Sequence, residues 1–145
     1  GGAFHDHGHP GKGTVPDEQN IKLAQAGATT LIAPEDRLEL PRIKRIIGAS
    51  LFTKDGHRPA ESLEEAIMQD ADTAQALHPA WYAMICHGLA VEFGLSPEEM
   101  LERQLTFLEN LHFTTKWAKE TFPRSLIDRK TAETRTILEG MRPPT

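Results

Sequence analysis

Ser96-Pro97-Glu98-Glu99-Met100-Leu101-Glu102-Arg103-Gln104-Leu105-Thr106-Phe107-Leu108-Glu109-Asn110-Leu111 carries the fold in its spacing. Ser96 followed three residues later by Glu99 is a capping box, in which the hydroxyl accepts from the N3 amide and the carboxylate reaches back to the serine amide. Pro97 falls at the first helical position, where a missing N–H removes no helical bond. Leu101, Leu105, Leu108 and Leu111 then recur at helical spacing with His112 beside them, so the segment is predicted to bury one stripe. Pro123 is predicted to end the helix.

The same signals recur on either side. Downstream, 125–140 reads as a last helix with Leu126, Ile127, Ile137 and Leu138. Upstream, Pro79 starts a helix through Trp81, Ile85, Leu89 and Val91 that stops at Gly94. Ser62 and Glu65 form another capping box, opening a helix with Ala66, Ile67, Ala71, Ala74 and Leu77 on its apolar side. Pro41 opens a helix carrying Ile43, Ile46 and Ile47, with Gly48 near its end. A short helix over 18–26, with Ile21, Leu23 and Ala24, is predicted to close at Gly27. Leu31-Ile32-Ala33 is too short for a strand, and Asp55-Gly56-His57-Arg58-Pro59 is turn chemistry. Strand-length β-branched alternation and internal repeats are both absent from the sequence. The expected fold is all-α, a bundle of about five to seven helices in one domain over 1–145.

The chain has 145 residues, 39% hydrophobic and 26% charged, enough to bury a core. Its formal charge of −5 argues against a general nucleic-acid surface, which needs a basic face. A small phosphorylated substrate stays open, because a bound metal reverses the local field. No apolar run approaches the roughly 20 residues of a membrane span. A single cysteine, Cys86, forms no internal disulfide, which points to a reducing, cytoplasmic setting.

Three histidines and an aspartate crowd into Phe4-His5-Asp6-His7-Gly8-His9-Pro10-Gly11. Imidazole and carboxylate are the usual ligands of zinc, iron, nickel and manganese. Adjacent residues of a helix point about 100° apart, so His5 and Asp6 share one ion most readily where a helix ends and the chain turns. Gly8, Pro10 and Gly11 supply that turn. Read alone, the run fits an adventitious metal binder or part of an expression tag better than a structured site. Far downstream, Asp70-Ala71-Asp72 puts two acids inside an otherwise amphipathic helix. Lys12, in Gly11-Lys12-Gly13-Thr14, could meet an anion locally but lacks the spacing of a nucleotide-binding P-loop.

Together these motifs resemble the HD superfamily of metal-dependent phosphohydrolases, and the first is also similar to the His-Asp-x-Asp-His-Pro-Gly stretch of the cyclic-nucleotide phosphodiesterases. The resemblance covers roughly residues 4–77. It implies an HD-like helical bundle, with His5 and Asp6 as the metal-binding pair and Asp72 as the last metal-binding aspartate. Asp72 is preferred to Asp70 because the family's aspartate follows a small residue, here Ala71. His9 matches a histidine near the substrate phosphate, a phosphate binder or proton donor. The implied cofactor is a divalent ion, one of Mn, Fe, Zn, Ni, Co or Mg. The implied substrate is a small phosphorylated molecule, a nucleotide among the options, with Asp6 orienting the attacking water.

The family pattern begins with a histidine on a helix well before the His-Asp pair, and only four residues precede His5. That ligand is expected on an upstream helix of a longer chain. Without it, the alternative is a non-catalytic HD-like module for binding or oligomerisation. Apolar faces left open by a missing helix would be covered in a homodimer. Some HD subfamilies bind a second metal through further histidines before the final aspartate; past the first motif His57 is the one candidate, so a full two-metal set is not implied. His78 is expected to cap or face solvent, and His87 and His112 to lie within helices. Trp81, Tyr82, Phe107, Phe113, Trp117 and Phe122 are expected in the core rather than around a ring-binding pocket.

Overall fold

The computed structural model describes residues 17–53 and 56–141. The fold is all-α, with seven helical rods and one two-stranded ribbon among the described residues. The chain divides into two compact units between Asp72 and Thr73. No helix among the described residues is long and apolar enough to cross a membrane.

In the first unit, α1 (Asp17–Leu31) packs on α2 (Leu40–Ala49). Ala24 and Ala28, one turn apart and fully buried, join Ile21 and Ile47 in a small core flanked by Leu40, Ile43 and Leu51. Small side chains let the two backbones approach closely. The Gln25 amide donates to the Lys44 carbonyl at 2.8 Å. It lies where a side chain at Gly48 would sit, 3.2 Å from the would-be Cβ. Gly27 does not end α1 as expected. Burial of Ala28 against α2 carries the helix on, while the Thr29 and Thr30 hydroxyls donate back to the Gln25 and Ala26 carbonyls. A tertiary contact here outweighs the preference of about 1 kcal/mol against helical glycine.

A 3₁₀ turn, Pro34–Glu39, leads directly into α2 with Pro41 in its first turn, as the sequence predicts. After α2 comes a short ribbon that the sequence does not announce. β1 (Phe52–Thr53) pairs antiparallel with β2 (Gly56–His57), Phe52 opposite His57. α3 (Leu63–Ala74) follows, and Ser62 accepts from the Glu65 amide at 3.2 Å, as in a capping box. The returning bond is displaced by one residue: the Glu65 carboxylate takes the Glu61 amide at 2.9 Å.

In the second unit, α4 (Trp81–Met84) continues through a π turn (Ile85–Leu89) into α5 (Ala90–Phe93), one rod. Gly94 ends it at φ +65°, the left-handed C′ conformation a β-carbon disfavours, and the Leu95 amide bonds back to the Ala90 carbonyl at 2.8 Å. α6 (Pro97–Asn110) begins with both bonds of the Ser96–Glu99 capping box in place and packs on α8 (Arg124–Met141). Leu101, Leu108 and Leu111 are buried, and Leu105 is half-buried.

The helix stops at Asn110 rather than at Pro123. Leu111 turns extended, Phe113 is buried, and Thr115 caps a separate helix, α7 (Lys116–Thr121), by accepting from the Ala118 amide at 3.1 Å. His112 therefore sits outside the helix and exposed. Phe107, Phe113, Phe122 and Trp81 pack around Leu108 and Ile127, as expected of core aromatics. Trp117 departs from that expectation, at 68% exposure.

Candidate functional site

The chemistry of the first unit gathers on α3. Its buried side is not the apolar stripe the sequence suggests, because Ile67 and Ala71 face solvent. The buried residues are Glu65, Ala66, Met68, Gln69 and Asp70 up to the unit boundary, three of them polar. A buried polar side chain has to find partners or forfeit a hydrogen bond's worth of stability. For Glu65 and Gln69 those partners lie on α2 and on the segment leaving β2.

Glu65 is fully buried. Its carboxylate lies 3.0 Å from Arg58 Nη1 and 3.0 Å from Arg45 Nε, and accepts the Glu61 amide. Burial pushes its pKa up, while the Glu61 amide and the two guanidinium groups pull it down. The attractive contacts prevail, and the carboxyl ends below the usual carboxylate range. One turn on, the Gln69 amide donates both hydrogens, to the Arg58 carbonyl at 2.9 Å and the Ala49 carbonyl at 3.0 Å. One further turn brings Asp72, whose Oδ2 is 3.8 Å from His57 Nε2. Residues 65, 69 and 72 share a helix face and meet the 57–61 segment in reverse order. Outside this face, Arg42 bridges Glu39 and Glu64 at the surface.

His57 is held edge-on against the Phe52 ring, centroids 4.9 Å apart. Its side chain is 13% exposed, and Nε2 is buried with no hydrogen-bond partner among the described residues. The 3.8 Å separation from Asp72 is too long for a hydrogen bond. It lies within the roughly 4 Å span of two donors that each sit about 2.1 Å from one ion. His57 and Asp72 are therefore two donors of metal-ligating type at a spacing that one ion could bridge.

Asp72 is thus placed beside His57, which the sequence offers only as a lone candidate for a second-metal ligand. His5, Asp6, His9 and Lys12 lie outside the described residues. Among the described residues no three His, Cys, Asp or Glu side chains converge as a metal-binding group. His78 behaves as expected, its Nδ1 accepting from the Ala80 amide at 3.1 Å, and His87 and His112 are exposed. Glu65 and Gln69 escape sequence reasoning, Glu65 because its capping role accounts for it. The available signal was the 65/69/72 spacing of polar residues on one face.

Comparison with protein-family models, with curated proteins and with solved structures finds no match for this chain.

Proposed function

We propose that the chain is an HD-type metal-dependent phosphohydrolase acting on a small phosphorylated substrate. The observation that carries this reading is the orphaned His57 Nε2 facing Asp72 at 3.8 Å. Asp72 is the residue that the HD resemblance assigns to the ion, and His57 adds a second nitrogen or oxygen donor of the right type. On the HD resemblance, His5 and Asp6 would supply the further ligands of the ion beside Asp72 and His57.

Bound there, a divalent ion would supply Lewis acidity, lowering the pKa of a water towards neutrality and offsetting phosphoryl charge. The chain's own residues do the rest. The Asp6 carboxylate orients the attacking water by accepting its hydrogen. His9 donates from its ring to the phosphate or to the leaving oxygen, and Lys12 pairs with the remaining phosphate charge. With a formal charge of −5, an anionic substrate gains nothing from the protein's overall field, so these local cations and the ion have to supply the attraction.

The test is turnover of phosphomonoesters, phosphodiesters and nucleotides by the full chain with added Mn²⁺, Co²⁺ or Ni²⁺. At least one class should be hydrolysed, and Asp6→Ala should abolish that activity. If the metal-supplemented chain turns over none of them and Asp6→Ala changes nothing, the enzymatic reading is wrong.

A further inference from the structure

The segment that carries His57 is gripped by one face of α3, and the grip is polar throughout. Gln69 is 3% exposed and spends both amide hydrogens on backbone carbonyls, one at the end of α2 and one on Arg58, the residue after His57. Glu65 holds the side chain of the same Arg58 and the amide of Glu61. His57 itself makes an edge contact to Phe52 and faces Asp72. The Arg58 carbonyl is only a few backbone torsions from the His57 ring, so fixing it fixes where the ring stands relative to α3.

We infer that Gln69 is a positioning residue for His57. Its amide bridges Ala49 and Arg58 and thereby sets the separation between His57 Nε2 and the Asp72 carboxylate. An apolar residue of the same length would fill the space equally well but leave two carbonyls without their donor. The consequence for ion binding rests on the phosphohydrolase reading; the placement of the ring does not. Groups that orient ligands typically change metal affinity by about 10–100-fold when removed.

The experiment uses the full chain with Gln69→Met, which keeps length and loses the donors, and Gln69→Asn, which keeps the amide but is too short to span both carbonyls. Ile47→Val in the α1–α2 core is a control that weakens packing without touching the clamp. Two readouts are taken: the His57 Cε1–Hε1 nuclear magnetic resonance signal, assigned by its loss in His57→Gln, and calorimetric binding of Mn²⁺ alone. Both Gln69 variants should shift the His57 signal and weaken Mn²⁺ by about tenfold or more, with helical circular dichroism retained. Ile47→Val should lower the melting midpoint and leave both readouts in place. A His57 signal that stays put in Gln69→Asn, or moves equally in Ile47→Val, overturns the inference. A wild-type chain that binds no Mn²⁺ overturns the metal reading instead, and the resonance alone then decides the role of Gln69.

Discussion

Arg58 reaches Glu65 with Nη1 at 3.0 Å from the carboxylate, and Glu65 is fully buried while Arg58 keeps more than a third of its side chain in water. A buried charge is tolerable only when paired and hydrogen-bonded: Arg58 and the Glu61 amide both meet Oε2, while Oε1 has the Arg45 charge at 3.0 Å but no hydrogen bond among the described residues.

Glu65→Gln should therefore lower the urea midpoint at neutral pH. The loss should be about 1 kcal/mol, because both arginines can return to solvent. The pH dependence follows from the direction of the shift. The folded carboxyl lies below its ordinary value, so its contribution is complete above about pH 4.3 and disappears as pH falls through the folded pKa. Denaturation curves of the two proteins should differ at pH 7 and converge in acid.

Tyr82 in the second unit gives the opposite sign. Burial raises its pKa to about 12; the Thr134 hydrogen bond works against this and the Glu133 charge adds to it. An acid whose folded pKa is raised contributes fully below its unfolded value, near 10, and loses that contribution as pH climbs from there towards about 12. Tyr82 is the chain's one tyrosine, so tyrosinate absorbance at 295 nm reports it alone. The native protein should show little absorbance rise at pH 10, and the denatured protein a half-complete one. Tyr82→Phe removes the 2.8 Å contact with Thr134 and should cost about 1 kcal/mol in a urea titration below pH 9.

Two glycines of the α4–α5 rod should respond in opposite directions. Gly94 has φ +65°, and Gly94→Ala should destabilise by about 1 kcal/mol. Gly88 is exposed within the π turn, and a β-carbon added there would meet nothing within 4 Å, so Gly88→Ala should stabilise by about 0.5 kcal/mol. Thermal melts of the two variants should move to either side of wild type.

For the proposed activity, Asp72→Asn and His57→Gln should each weaken Mn²⁺ binding and depress metal-dependent hydrolysis by about 100-fold or more while leaving the helical signal intact. Asp70→Asn provides a comparison from the same helix. Isothermal calorimetry and steady-state rates on the same preparations check this, and an Asp72→Asn protein with undiminished activity would count against Asp72 as a ligand.

The helices were legible wherever a local rule acted alone. Ser96, Pro97 and Glu99 start α6 in the structure as their chemistry dictates, and Pro41 and Gly94 open and close their helices for equally local reasons. Reading failed where a tertiary contact outvoted the local preference. Gly27 lies inside α1 because Ala24 and Ala28 are buried on either side of it, and the α6 stripe breaks after Asn110 because Phe113 leaves to enter the core.

By itself, the sequence determined the all-α class and most helix starts through local chemistry and spacing, while Asp72 became a candidate ligand only through the HD resemblance. Tertiary structure alone decided that α3 buries Glu65 and Gln69 while Ile67 faces solvent, and that His57 comes to rest 3.8 Å from Asp72. Helical periodicity identifies which residues share a face, but it weighs each face by its own hydrophobicity. Only the partners brought by α2 and the ribbon make a polar face the one that is worth burying.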